Sequence, residues 1–368
     1  MRVLIAAPLS FAGSGIGVAA RQFAEAIPLI DPTAVCTFVD TVDARSEALV
    51  PSGPYSVGVH FGSPEAWAVR LREGSAWALA IAHASHTALF AVWEALPLPR
   101  VWRAVFALAE VDSVLTPSEW MRSKLTEITS KPVVVVPHTA KASKSVANPL
   151  EQDKFTVLHL GQATPRKGLR EAVTAFIRAI GWREDTAFVC KTLPPPPLFA
   201  SASTIVQEVA ARNRTAGPHE PDLVVYDDHF SAAQLGALYQ RSSVLVANAH
   251  GEAFGLPALE AMLHGVPIIY TDWAAAPEVC ADMPGNIALH PRLDEAVDMA
   301  TYGFTPGMQY AYTRISDVME ALEQTYIRWK SGDSLLLAER DERITDAVNR
   351  FGREAFLKAV QRWVRVVV

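Results

Sequence analysis

A chain of 368 residues is longer than one compact core of ordinary size, and predicts two domains of roughly 150 to 200 residues each. Half its residues are apolar and one fifth are charged, which excludes a disordered chain. A formal charge of -6 provides no global field for duplex nucleic acid or anionic lipid, and Cys36, Cys190 and Cys280 are too scattered for a disulfide framework or zinc cluster, so a reducing cytoplasm fits best.

The first apolar run, residues 3–7, reads as a buried strand. Glycines then open an amphipathic segment at 18–27, an arrangement that favours the strand over a cleaved signal peptide. Strand-like runs come next at 35–39, 56–59, 78–82, 113–116 and 133–136, with helix-period segments between them, the pattern of a parallel sheet covered on both faces. Residues 137–153, rich in Ala, Ser and Lys, read as a connector. A second series at 156–160, 187–190, 223–226, 244–247 and 268–270 makes a new sheet. The prolines Pro194, Pro195, Pro196 and Pro197 stiffen the chain just after a strand, either as a ligand loop or as a rigid connection. At the end, Phe356, Val360, Trp363 and Val367 share one helical face, ringed by Arg353, Lys358, Arg362 and Arg365; docking on the protein body is preferred to a membrane-surface role. No apolar stretch reaches the roughly 20 residues that span a bilayer, and no short-period repeat is present.

The most informative stretch is His250-Gly251-Glu252-Ala253-Phe254-Gly255-Leu256-Pro257-Ala258-Leu259-Glu260. Gly255 permits close backbone approach, Pro257 suits the first turn of a helix, and the amides of that turn attract anions and hydroxyl oxygens. A helix beginning near Leu256 lets Glu252 and Glu260 address different ends of one elongated ligand.

This segment resembles the E-x7-E region of family 4 of the retaining glycosyltransferases. The resemblance implies an α/β protein of GT-B architecture: two Rossmann-like domains facing each other across a cleft, with a C-terminal helix packing back on the N-terminal domain. Residues 1–148, joined by 350–368, would form the acceptor domain, and residues 149–349 the nucleotide-sugar donor domain. In such enzymes the first glutamate contacts the hydroxyls of the transferring sugar and the second the nucleotide ribose. Carried across, these are Glu252 and Glu260, with the amides of Phe254, Gly255 and Leu256 on sugar and phosphates. Gly161-Gln162-Ala163-Thr164-Pro165-Arg166-Lys167-Gly168 is similar to the family's G-R-x-x-x-x-K-G segment, with Lys167 as the diphosphate lysine. A fixed ammonium there stabilises a departing phosphate more than the ground state. The family's arginine after the first glycine is Gln162 here, and Arg166 is the residue placed to compensate. Residues 226–230 match the loop that seats the base, and 231–241 the helix before the donor strand.

In the first half, Gly13-Ser14-Gly15-Ile16-Gly17 comes after a strand and precedes a helix, where glycine amides can cradle phosphate. The spacing is not that of a nicotinamide dehydrogenase. The resemblance makes Gly15 and Gly17 donor-binding candidates. It also points to a histidine ending a strand beside the sugar: His83 is the better positional match, and His60 the second choice. Ser118 is expected to cap a helix.

The implied reaction is front-face transfer with retention, from a nucleotide diphosphate sugar to an acceptor hydroxyl. His83, Glu252 and Lys167 form the catalytic set, with no metal and no resident cofactor required. The acceptor stays open among oligosaccharide, lipid, small metabolite, protein and modified nucleic-acid base. Alternative readings are a sugar-nucleotide-binding protein without transferase activity, which Gln162 favours, and a related epimerase or phosphorylase.

Overall fold

The computed structural model describes residues 1–9, 15–43, 45, 50, 53–141, 148, 151–194, 199–213, 217–296 and 307–367. Contacts divide the chain into two compact units, Met1–Thr139 with Arg353–Val368, and Ala140–Gly352.

The first unit runs β1 (Arg2–Ala7), α1 (Gly15–Ile30), β2 (Val35–Asp40), β3 (Val57–Phe61), α2 (Pro64–Arg72), α3 (Ala76–Ala82), β4 (His86–Phe90), α4 (Arg100–Phe106), β5 (Ser113–Thr116), α5 (Glu119–Thr126) and β6 (Val133–Val135). Its six strands are parallel and lie in the order β2-β1-β3-β4-β5-β6. β1 and β3 are apolar and buried on both faces, as a sheet covered by two helical layers requires. Ser118 caps α5 by accepting from the Met121 amide.

One predicted strand is a helix. Residues 78–82 belong to α3, and the sheet strand is β4, four residues farther on. The run Ala76-Trp77-Ala78-Leu79-Ala80-Ile81-Ala82 carries four alanines, the best helix formers, and a short apolar run has no periodicity with which to betray a helix. In the structure the Thr87 hydroxyl donates to the Ile81 carbonyl, tying the end of α3 to the start of β4.

The second unit runs β7 (Phe155–Leu160), a single 3₁₀ turn (Pro165–Lys167), α6 (Leu169–Ala179), β8 (Thr186–Lys191), α7 (Ala202–Arg212), β9 (Leu223–Tyr226), α8 (Ala232–Gln240), β10 (Val244–Ala247), α9 (Leu256–Leu263), β11 (Ile268–Thr271), α10 (Ala276–Cys280), β12 (Ile287–Leu289), a hairpin of β13 (Arg292–Glu295) and β14 (Gln309–Tyr312), α11 (Ile315–Lys330) and α12 (Leu335–Phe351). Its main sheet is parallel, in the order β12-β11-β10-β7-β8-β9. Apolar clusters cover both faces, one under α6, α7 and α11 and the other under α9 and α12.

The last helix, α13 (Arg353–Val367), returns to the first unit. Phe356, Val360 and Trp363 enter its core, and the Trp363 ring lies 5.2 Å from that of Phe23. Among the described residues no helix is long and apolar enough to cross a membrane. Three of the four consecutive prolines, Pro195, Pro196 and Pro197, and residues 142–147, 149 and 150 of the predicted connector lie outside the described residues.

Candidate functional site

In an open parallel sheet, the point where neighbouring strands connect in opposite directions leaves a crevice at their C-terminal ends. In the second unit that point lies between β7, which continues to β8 on one side, and β10, which continues to β11 on the other. The loops leaving these strands, 161–168 and 248–255, are the two that carry the sequence motifs.

Four hydrogen bonds and an ion pair staple the loops together. Asn248, fully buried, donates from Nδ2 to the Gly168 carbonyl at 2.9 Å. The His250 amide donates to the Arg166 carbonyl at 2.7 Å. Arg166 Nη1 returns a bond to the Gly251 carbonyl at 2.7 Å and stands 3.8 Å from Glu252 Oε1. Lys167 Nζ donates to the same carboxylate oxygen. Gly168 makes the close approach possible: its φ is +72°, and a Cβ there would lie 2.6 Å from Asn248.

The side chains of Glu252, Lys167 and Arg166 are 20%, 16% and 18% exposed. Burial pushes the Glu252 carboxyl up, and the Lys167 and Arg166 cations more than reverse that, holding it below its ordinary value. Glu252 is therefore a carboxylate at neutral pH, able to accept hydrogen bonds from hydroxyls. Two cations beside it give the same loop pair an affinity for phosphate oxygens.

Gly255, at φ +95°, turns the chain into α9, with Pro257 in the first turn. Amides at a helix N-terminus lack intrahelical acceptors, so those of the N-cap Gly255 and of Leu256 stand at the positive end of the helix dipole. Phe254 is buried beneath them, its ring edge-on to Phe351 at 5.5 Å. Farther along α9, Glu260 accepts from the Tyr239 hydroxyl at 2.9 Å. Burial raises the Glu260 carboxyl, and the tyrosine bond opposes the rise.

A small cavity of about 30 Å³ is lined by His159, Lys167, Glu252, Phe254 and Gly255. His159 is 3% exposed and donates from Nδ1 to the Val246 carbonyl at 3.2 Å, which leaves Nε2 as an acceptor without a protein partner. Burial pushes it down to about 4, keeping it neutral. Near the loop 226–230, Lys191 donates to the Thr192 and Asp228 carbonyls, and its ammonium lies 4.7 Å from the centre of the Phe230 ring. Sequence reasoning missed Asn248, Tyr239 and His159, since each reads as an ordinary core residue until the strand ends are brought together.

In the first unit, Gly15 and Gly17 occupy the first turn of α1, after β1; Gly13 and Ser14 lie outside the described residues. The expectation for His83 is corrected. It caps the C-terminus of α3, exposed, three residues before β4 begins, which puts it at the N-terminal edge of the sheet, opposite the edge where the strands end. His60 does stand near the end of β3, but it is 3% exposed, stacked on Trp77 at 5.4 Å, with Nε2 3.3 Å from the Ser63 carbonyl. Beyond the C-terminal end of β4 the chain continues as Ala91-Val92-Trp93-Glu94, of which Glu94 is half-buried.

Residues 115–274 match the model of family 4 glycosyltransferases in conflict systems. A 41.2 kDa uncharacterized protein in the cps region of Klebsiella pneumoniae is 40% identical over 63 residues, a stretch that spans 17% of this chain and 18% of that protein. Solved structures similar to the chain include a glycosyltransferase from Rickettsia africae, with a TM-score of 0.70 at 12% identity over 100% of this chain and 98% of the other. Sucrose-phosphate synthase from Thermosynechococcus elongatus gives 0.69 at 12% identity, over 100% and 99%. Anabaena HepE in complex with UDP-glucose gives 0.64 at 12% identity, over 100% of both chains. The segment that holds the stapled loops is thus similar to the family 4 glycosyltransferases, and the fold shared along the whole chain is the GT-B architecture of glycosyltransferases.

Proposed function

We propose that this protein transfers a sugar from a nucleotide diphosphate to an acceptor hydroxyl with retention at the anomeric carbon, using a donor site built on the two stapled loops. The observation that carries the reading is the convergence of Lys167, Arg166, Glu252 and the start of α9 at the switch point of the second sheet. Lys167 and Arg166 take the diphosphate, with Arg166 standing in for the family arginine that is absent at Gln162. Glu252 accepts from the sugar hydroxyls. Amides of Phe254, Gly255 and Leu256 complete the cradle, and Glu260 accepts from the ribose.

In the reaction the bond between the anomeric carbon and the leaving phosphate oxygen breaks while the acceptor oxygen bonds to the same face of that carbon. The acceptor's proton passes to the leaving phosphate. Charge that grows on that phosphate is offset by Lys167 and by the helix-terminal amides, groups fixed before the reaction begins. No step is assigned to a metal or a resident cofactor, and the nucleotide sugar is substrate. Since Anabaena HepE is solved with UDP-glucose, uridine diphosphate sugars are the first donors to try.

The test pairs a thermal-shift panel of nucleoside diphosphates with an assay of nucleotide release. A ligand at about 100 times its dissociation constant stabilises by roughly 2.7 kcal/mol. Lys167→Ala and Glu252→Ala are each expected to lower turnover by about 10²-fold or more while the protein stays folded. Full activity in both variants would refute the site, and nucleotide binding by the wild type without turnover would favour the non-catalytic reading.

A further inference from the structure

Glu260 is held by more than its own helix. Tyr239, on α8, is fully buried, and its hydroxyl lies 2.9 Å from Glu260 Oε2 and 3.2 Å from the Pro257 carbonyl. A phenol has one proton, and the nearer, charged oxygen takes it. The tyrosine ring is fixed in turn by the His264 imidazole, stacked at 5.1 Å and 23°. His264 Nδ1 is 2.7 Å from the Glu260 carbonyl, so it carries the hydrogen and ties the frame to the backbone of α9. Burial raises both the Tyr239 phenol and the Glu260 carboxyl, so the tyrosine stays protonated and remains the donor. The consequence is an asymmetric carboxylate: Oε2 is spoken for inside the protein, whereas Oε1 has no protein donor among the described residues.

We infer that Tyr239 is a positioning residue for donor recognition: its hydroxyl locks Glu260 in one rotamer, so that Oε1 alone is presented to the ribose hydroxyls of the nucleotide. This rests on the reading of Glu260 as the ribose contact. With the lock in place, a ribose hydroxyl meets an acceptor already aimed and desolvated. Without it, the carboxylate turns to satisfy its own buried oxygen, and the ribose gains little from donating to it.

The experiment is calorimetric binding of UDP and its 2′,3′-dideoxy analogue to the full chain and to Tyr239→Phe. That substitution removes the hydroxyl and keeps the ring on His264. For the wild type, UDP is expected to bind at least 10-fold more tightly than the dideoxy analogue. For the variant, UDP binding is expected to weaken about 10-fold while binding of the analogue changes less than 2-fold, so that discrimination collapses. A variant that keeps the wild-type discrimination overturns the inference. So does one that loses both ligands equally, since that marks a merely structural tyrosine. His264→Ala, which frees the ring and leaves the hydroxyl, is the second variant should the first fail to fold: it is expected to show a smaller loss of the same selective kind, and unchanged discrimination there counts against the inference. Failure of the wider reading looks different, because the wild type then binds neither nucleotide.

Discussion

Acidification from pH 7 to pH 4.5 should unfold both units through histidines that the fold keeps neutral. Burial pushes His60 and His138 in the first unit, and His159 and His250 in the second, down to about 4. In the unfolded chain each binds a proton near pH 6.5. Between those limits the unfolded state holds more protons than the folded one, so stability falls as the pH falls. Each histidine contributes about 1.4 kcal/mol per pH unit below 6.5, so the pair in each compact unit removes about 3 kcal/mol per pH unit and roughly 5 kcal/mol by pH 4.5, against a total stability on the order of 5–15 kcal/mol for a domain. Glu171 and Glu260, both raised by burial, act in the opposite sense as the pH approaches the carboxylate range, and blunt the second unit's response at its acid end. The assay is urea unfolding monitored by circular dichroism at half-unit steps from pH 7.5 to 4.5. His60→Leu should lessen the pH slope of the first unit's transition by about half without altering that of the second. A flat stability between pH 6.5 and 5.5, or a slope unaltered by the substitution, would refute the reasoning.

The packing leads to two further outcomes. Gly168→Ala puts a Cβ against Asn248 at a left-handed backbone position, so the stapled loops must separate; a loss of about 2 kcal/mol in the second unit, with donor binding lost alongside, is expected from unfolding and thermal-shift measurements. Trp363→Ala empties a fully buried site between Phe23 and the sheet, and should cost the first unit about 3–5 kcal/mol while leaving nucleotide binding by the second unit unaltered, read by calorimetry on the two transitions.

Much of this architecture is visible in the chain before it folds, because strands buried on both faces announce themselves as uninterrupted apolar runs. β5, β9 and β10 fall where periodicity puts them, and the glycine, proline and acid pattern from Glu252 to Glu260 marks the start of α9. α3 reads as a strand for a physical reason: Ala76 to Ala82 is apolar throughout, and only its alanine content and its distance from β4 tell a helix from a strand. That single displacement moves His83 from the crevice edge to the opposite one. The partners of the site residues are a different matter. Nothing local to Asn248 says that it will meet Gly168, 80 residues earlier, and nothing local to Tyr239 says that it will hold Glu260; both pairings exist only once β7, β10 and the helices flanking them are assembled.

The charged groups at the switch point are poor stabilisers, and that is the strongest physical sign of what they are for. Glu252, Lys167 and Arg166 are each a fifth exposed or less, and removing such groups from water costs about as much as their mutual attraction returns. Apolar side chains of similar volume would hold the loops as well. What apolar side chains could not do is exchange partners: a ligand that brings phosphate to Lys167 and hydroxyls to Glu252 replaces the internal ion pair with an external one and a set of external hydrogen bonds, and finds both groups already desolvated and aimed. The same logic separates this cluster from Lys330 with Asp185 or Lys358 with Glu354, whose lysines are 60% and 67% exposed and whose separation yields nothing that water does not already provide.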